Sequence, residues 1–291
     1  FLYFIILKMI HGVLSHHFNN NKRLQESDKN EEWMKNIRDD VPISQITIPG
    51  SHDALARHWG AFVKCQSWSF ENQLMAGVRY FDLRVSDRPG NDLNLVHGIF
   101  IQFIKLGTVI EEAVYFLGKH PSETILIRVK LEGPNKNKIN NDQPLIRDVR
   151  GKIVLLKIQD RYDFGIDLDS THRKGEHKVK DVNDKWNIIQ NHLLEAKNKC
   201  NNENGHVILL YSSGTGVGSS CNPITPKSLA KIINEKLCQK LAELHTEDRN
   251  SCFGIIAMDF PGLELIKQII KVNESKCKND NNSPGSKSNG K

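Results

Sequence analysis

Two histidines stand just past strand-like runs. One is in Ile46-Thr47-Ile48-Pro49-Gly50-Ser51-His52-Asp53, the other in Leu93-Asn94-Leu95-Val96-His97-Gly98. Between them, Val78-Arg79-Tyr80-Phe81-Asp82-Leu83-Arg84-Val85 ends in an acid and a guanidinium. One imidazole can take a proton, the other can give one, and the arginine can hold the charge on phosphate. That combination suits the cleavage of a phosphodiester. A lone histidine beside a glycine is ordinarily structural or solvated; two at matching strand ends, with Arg84 between them, make a different case.

Something must bring these groups together. Short β-branched or aliphatic runs occur at 45–48, 78–85, 93–97, 124–131, 152–158, 206–212 and 253–259. Amphipathic stretches at about 108–119, 183–199, 226–244 and 262–272 read as helices. Thr225-Pro226 is a helix start with proline in the first turn. Strands alternating with helices imply a parallel sheet. Polar residues gather at the C-terminal ends of the runs: His52, Asp82 and Arg84, His97, Lys130, Asp160 and Asp259. In a (β/α)8 TIM-type barrel that end carries the active site. A doubly wound sheet would concentrate a site at one crevice, and no GxGxxG follows the first strand. The expectation is a single, irregular (β/α)8 barrel of the α/β class.

Side chains two apart on a strand share a face. Asp82 and Arg84 therefore point the same way, as do Leu93, Leu95 and His97, then Leu126, Arg128 and Lys130, then Ile255, Ala257 and Asp259. Adjacent His52 and Asp53 should diverge if the chain stays extended, leaving Asp53 to a partner other than His52.

Several motifs occur in a fixed order: Ile48-Pro49-Gly50-Ser51-His52-Asp53, Gly77-Val78-Arg79-Tyr80-Phe81-Asp82-Leu83-Arg84, Leu95-Val96-His97-Gly98, His120-Pro121-Ser122-Glu123-Thr124, Gly151-Lys152-Ile153-Val154-Leu155-Leu156, Ile158-Gln159-Asp160-Arg161-Tyr162 and Ala257-Met258-Asp259-Phe260-Pro261-Gly262. From about residue 33 to 273 the chain resembles the X domain of phosphatidylinositol-specific phospholipase C. The likeness is to the small bacterial-type enzymes and the X-domain-only relatives. The resemblance implies that His52 is the general base for the inositol 2-hydroxyl, oriented by Asp259. It implies that Arg84 neutralises the phosphate oxygens and that His97, partnered by Asp53, protonates the departing diacylglycerol oxygen. The product would be inositol 1,2-cyclic phosphate. Asp82, Lys130, Asp160 and Tyr162 match positions that contact the inositol ring. Bacterial relatives carry a second arginine contact where Ile158 stands; Arg128, on the Lys130 face, could replace it.

The resemblance also bears on metals. The large signalling forms place an acidic calcium ligand where this chain has Arg84, and a cation cannot ligate calcium. No metal and no other cofactor is expected. Partners would be phosphatidylinositol, or a glycosylphosphatidylinositol (GPI) anchor cleaved by the same chemistry, met by a monomer in peripheral contact with a membrane. An inactive inositol-lipid-binding protein is the second alternative; the complete set of His52, Asp53, Arg84, His97 and Asp259 argues against it. A metal-dependent glycerophosphodiesterase would need an acidic cluster near the first histidine, which is absent. Trp59, Phe62, Trp68 and Phe70 follow His52, and Phe100, Ile101, Phe103 and Ile104 follow His97. Some would pack as core; exposed ones would form an apolar collar for a lipid surface.

The bulk numbers fit this picture. The chain has 291 residues, 38% hydrophobic and 25% charged, enough for one large globular domain. Its net charge of +6 is diffuse. Without a dense basic run there is no nucleic-acid partner to propose. Gly214, Gly216 and Gly218 lack a Walker lysine and read as a flexible rim loop. The six cysteines (Cys65, Cys200, Cys221, Cys238, Cys252 and Cys277) show no CxxC spacing, so disulfides are expected rather than zinc. Residues 1–15 read as a signal-peptide remnant, implying a secreted protein with transient membrane association. The sequons at Asn273 and Asn281 point to the same compartment. Residues 16–40 form a polar lead-in, 41–273 the barrel domain and 274–291 a disordered tail.

Overall fold

The computed structural model describes residues 17–86, 93–131, 145–158, 165–200, 206–217 and 223–278. In chain order the elements are β1 (Ile48–Ser51), α1 (Phe70–Ala76), β2 (Tyr80–Ser86), β3 (Asn94–His97), β4 (Phe100–Lys105), α2 (Leu106–Lys119), β5 (Ile125–Leu131), α3 (Ile146–Val149), β6 (Ile153–Ile158), β7 (Ile166–Ser170), α4 (Val182–Cys200), β8 (Val207–Tyr211), β9 (Gly216–Val217), β10 (Pro223–Ile224), α5 (Pro226–Glu247), β11 (Ile255–Met258) and α6 (Leu263–Lys271).

Seven parallel strands close a barrel in the order β1-β11-β8-β7-β6-β5-β2, with β2 returning to β1. The expected α/β barrel is therefore present, with seven barrel strands rather than eight. Two strand assignments change. The run at 93–97 is β3, which lies antiparallel on β2 and turns through Gly98-Ile99 into β4. A two-residue connection can only make an antiparallel hairpin. The seventh barrel strand is instead β7, Ile-Asp-Leu-Asp-Ser, whose two aspartates hide its strand character. They point outward to lysines: Asp167 lies 3.5 Å from Lys157 and Asp169 lies 2.8 Å from Lys199.

Parity organises the core. Ile48, Tyr80, Leu126, Val154, Leu156, Ile166, Leu168, Val207, Leu209, Ile255 and Ala257 fill the barrel interior as one buried cluster. Their sequence neighbours face the surrounding helices: Phe81, Leu83, Ile125 and Ile127 in one cluster, Ile208, Leu210, Ile256 and Met258 in another. Where Tyr80 fills the interior, a Cβ on Gly50 would come within 2.8 Å of its ring, so β1 needs glycine there.

The bottom of the barrel is plugged by Met34, Ile37, Val41, Ile43 and Ile46. Beside it a buried Arg79–Glu123 pair at 2.9 Å joins β2 to the segment before β5, and Glu123 also accepts from the Met34 backbone N–H. Cys200 and Cys252 form a disulfide. Asn273 is buried, with its amide paired to both backbone groups of Thr47 at 2.8 Å, so the first sequon is closed to glycosylation in the folded chain. Asn281, Cys221, residues 1–15 and Gly218 lie outside the described residues.

Candidate active site

The same parity that fills the barrel delivers the mouth. Continuing each inward row by one or two steps past the apolar layer reaches His52, Asp82 and Arg84, Arg128 and Lys130, Ser170 and His172, Tyr211 and Ser213, and Asp259. All but Asp259 line one cavity of about 700 Å³ together with Lys157, Lys174 and His177. Asp259 lies behind His52, buried.

The closure of the barrel between β1 and β2 is short. Gly50 and Ser51 pair with Tyr80 and Phe81, after which β2 pairs with β3 instead. The chain leaving β1 turns through this gap, and the Ala54 N–H donates to the Asp82 carbonyl. Asp53 adopts a left-handed φ of 39° in this turn. The expected divergence of His52 and Asp53 presumed an extended chain and does not hold. The turn instead brings the Asp53 carboxylate among three nitrogen groups: 3.5 Å from His52 Nε2, 3.2 Å from His97 Nε2 and 2.5 Å from Arg84 Nε.

Each imidazole has its tautomer set by its far nitrogen. His52 Nδ1–H donates to Asp259 Oδ1 at 2.9 Å, leaving Nε2 to accept a proton from the cavity. His97 Nδ1–H donates to the Val63 carbonyl at 2.8 Å, which turns Nε2 toward Asp53 at 3.2 Å. Arg84 Nη2 lies 3.5 Å from His52 Nε2. Burial pulls the His52 pKa down, but Asp53 and then Asp259 outweigh it, and the imidazole holds its proton above the ordinary range. Burial works the opposite way on Asp53; His52, Arg84 and His97 prevail and keep it ionised.

Beneath this layer lies a second. Arg128 Nη1 donates to Asp82 Oδ1 at 3.0 Å and to the Tyr211 hydroxyl at 2.9 Å, and Tyr211 donates to Asp82 Oδ2 at 3.4 Å. Burial, then Asp82, keeps the Tyr211 hydroxyl protonated well past neutrality. The Tyr211 ring stands edge-on to His52 at 5.6 Å and to His172 at 5.7 Å. Burial, then Lys185, pushes His172 down to about 4, so it is a neutral wall of the pocket at pH 7. Tyr211 was legible from the Val207-Leu209-Tyr211 alternation; Ser170 and His172 were missed with β7. Asp160 and Tyr162 lie outside the described residues.

The glycines at 214 and 216 serve close packing rather than a flexible rim loop. A Cβ on Gly214 would meet Val179 at 2.7 Å, and one on Gly216 would collide with the Val179 backbone. Val179 N–H donates to the Thr215 carbonyl and Thr215 N–H to the His177 carbonyl, both at 2.9 Å, which fixes the loop carrying His177.

Among the described residues, His52, Asp53 and Cys65 form the one trio of metal-type donors within reach of a common point. The Arg84 guanidinium already contacts that Asp53 carboxylate. Burial, then Asp259, keeps the Cys65 thiol protonated. The donor set suits a guanidinium better than a metal ion.

The aromatic residues divide as expected. Trp68 and Phe70 are core; Trp59, Phe62 and Phe103 are exposed at the rim, and Ile99 joins them.

Residues 40–174 match the family model for phosphatidylinositol-specific phospholipase C, X domain. The chain is 28% identical to a 1-phosphatidylinositol phosphodiesterase of Listeria monocytogenes, over 94% of each protein. It is 26% identical to a 1-phosphatidylinositol phosphodiesterase of Staphylococcus aureus, over 66% of this chain and 79% of the relative. A solved phosphatidylinositol-specific phospholipase C from Listeria monocytogenes superposes with a TM-score of 0.70 at 26% identity, covering 84% of this chain and 99% of that one. By motif order, barrel and matched residues alike, the chain is similar to the phosphatidylinositol-specific phospholipase C X-domain family.

Proposed function

We propose that the chain is a phosphatidylinositol-specific phospholipase C working by paired histidines without calcium. His52 Nε2 takes the proton of the inositol 2-hydroxyl, and that oxygen attacks phosphorus. The bond from phosphorus to the diacylglycerol oxygen breaks, and His97 Nε2–H protonates the leaving oxygen. Inositol 1,2-cyclic phosphate and diacylglycerol result. Arg84, between the two, carries the charge that builds on the phosphate oxygens. The nucleophile belongs to the substrate, so proximity supplies much of the acceleration. Each positioned imidazole adds about 10²–10⁴-fold.

The observation that carries this reading is a pair of imidazoles each anchored through Nδ1, so that both Nε2 atoms face the same Arg84–Asp53 pair. Asp82, Arg128, Lys130 and Tyr211 offer donors and acceptors suited to a polyol ring. The named activity of the bacterial relatives is the same class. The Cys200–Cys252 disulfide accords with a secreted enzyme reaching its lipid from outside.

The test is turnover of phosphatidylinositol vesicles in chelator, followed by phosphorus NMR. A cyclic phosphate signal is expected, lost in His52→Ala and His97→Ala. Silence of the wild type, unchanged turnover in His52→Ala, or chelator inhibition reversed by calcium would overturn the assignment. A GPI-anchored reporter released faster than free phosphatidylinositol is hydrolysed would favour the anchor as substrate.

A further inference from the structure

Between β1 and α1, residues 63–66 make hydrogen bonds to both histidines. At one end the Val63 carbonyl accepts His97 Nδ1–H at 2.8 Å and also the Cys65 thiol at 3.6 Å. At the other end the Gln66 amide donates to the His52 carbonyl at 2.8 Å and to the Met258 carbonyl at 2.9 Å. The Met258 carbonyl also receives the His52 N–H at 3.0 Å, so one side-chain amide ties the end of β1 to the end of β11. Midway, the Cys65 carbonyl accepts from the Phe260 N–H at 3.0 Å. Gln66 and Cys65 thus hold the residues on either side of Asp259, the carboxylate that orients His52.

These contacts are interior. Gln66 is 2% exposed and Cys65 1%, and neither lines the headgroup cavity. A buried amide that gives its hydrogens to two main-chain carbonyls cannot turn away without leaving buried acceptors unpaired. The Ala56 carbonyl accepts from the Cys65 and Gln66 N–H groups at 2.8 and 3.2 Å, which pins this segment to the turn after His52. Burial, then Asp259 and Asp53, keep the Cys65 thiol protonated, so it stays a donor. Two non-glycine residues beside the segment hold left-handed backbone: Asp53 at φ 39° and Phe260 at φ 44°. Such conformations persist only where the surroundings enforce them. Here the Ala56 N–H holds the Asp53 carbonyl at 2.8 Å, and the Cys65 carbonyl holds the Phe260 N–H. Both turns that aim the carboxylates of the site therefore lean on residues 63–66.

We propose that residues 63–66 are a strap that sets the two imidazoles relative to each other, with Gln66 and Cys65 as its positioning residues. Gln66 acts through the His52 backbone, and Cys65 through the Val63 carbonyl that anchors His97. Attack and departure occur at one phosphorus, so base and acid must keep a fixed separation. The proposal rests on the phospholipase reading for the roles of the two histidines.

The test reads the imidazole N–H protons by NMR in the substrate-free protein, assigned through His52→Ala and His97→Ala, with vesicle turnover measured alongside. Gln66→Leu should shift the His52 Nδ1–H resonance and also that of His97, to which Gln66 makes no hydrogen bond. In the same variant kcat should fall on the order of 10- to 100-fold while KM stays within about twofold. Cys65→Ala should likewise move both resonances and lower kcat about 3- to 10-fold. Cys65→Ser, which keeps a donor, should recover most of that loss. The proposal is overturned if each variant moves only the resonance of the histidine it serves, if folded Gln66→Leu keeps wild-type kcat, or if Cys65→Ser is no better than Cys65→Ala. Hydrogen exchange on the wild type needs no variant to fold: the amides of His52, Cys65, Gln66 and Phe260 should open as one unit. Exchange at Cys65 and Gln66 well ahead of His52 and Phe260 would overturn the strap. A protein whose resonances respond as described but which turns over no lipid would count against the phospholipase reading alone.

Discussion

Asp259→Asn isolates the link between the proposed base and the carboxylate 207 residues away in the chain. The substitution keeps shape and removes charge. Asp259 is held by its backbone, independently of its carboxylate: the buried Asn234 amide donates to the Asp259 and Phe260 carbonyls at 3.0 and 3.1 Å. The variant should therefore fold. The His52 Nδ1–H to Asp259 Oδ1 bond of 2.9 Å becomes neutral at best, losing a charge-assisted bond worth about 1.5–3 kcal/mol, or about 10- to 150-fold in rate. If the new amide presents its NH2 instead, Nδ1 must accept and Nε2 carries the hydrogen. The base is then in the wrong tautomer, and a loss of about 10⁴-fold is the comparable magnitude for a serine-protease triad. Asp259 does not line the cavity, so kcat should fall while KM holds. The pH profile adds a signed test. Asp53 and Asp259 raise the His52 pKa against the opposing effect of burial. Removing one of them lowers it, so the acid limb of kcat/KM moves to lower pH. The assay is initial-rate turnover of phosphatidylinositol vesicles across pH, with circular dichroism as the folding control. A folded variant within about threefold of wild-type kcat, or an acid limb that stays in place, would refute the role given to Asp259.

Four further outcomes are expected. Arg84→Lys keeps the charge but loses the planar fork that reaches Asp53 and His52 together; vesicle assays should show kcat down about 10- to 100-fold, with no rescue by added calcium. Tyr211→Phe removes the hydroxyl that accepts from Arg128, so KM should rise about 2- to 10-fold with little change in kcat. Glu123→Gln leaves Arg79 charged in the core without its counter-ion, and urea unfolding should register a loss of about 3–5 kcal/mol. Cys200→Ser/Cys252→Ser opens a link across 52 residues of sequence and should cost about 4 kcal/mol in the same assay, an effect that reductant reproduces in the wild type.

Strand parity was the most productive reading of the sequence. The face shared by Ile255, Ala257 and Asp259 aligned Asp259 with the inward row, where it lies buried behind His52, and the same rule placed Asp82 beside Arg84 and Arg128 beside Lys130. Motif order alone carried the family resemblance. What escaped was local geometry that periodicity does not encode. Ile166-Asp167-Leu168-Asp169-Ser170 reads as polar because its outward aspartates answer Lys157 and Lys199, lysines contributed by β6 and α4. Missing it hid Ser170 and His172. The 93–97 run has the pattern of any short strand, and only the two-residue link to β4 reveals its direction. Asn273 carries a sequon, yet the amide that would take a glycan is occupied by Thr47. The left-handed turn at Asp53 was likewise invisible, because the chain direction there depends on the gap between β1 and β2.

That turn alters how the two histidines should be understood. Assigned separately, His52 belongs to Asp259 and His97 to Asp53. In the fold a single Asp53 carboxylate lies within 3.5 Å of both reactive Nε2 atoms and 2.5 Å from Arg84. A proton arriving on His52 strengthens its pull on Asp53, the carboxylate that also faces His97 Nε2. The proposed transfer, a proton gained at His52 and one given up at His97, leaves the net charge around Asp53 unchanged. A shared, buried counter-ion therefore need not reorganise while the phosphate is attacked. The same feature explains a fixed guanidinium at this place: Arg84 keeps Asp53 ionised whichever histidine holds the proton.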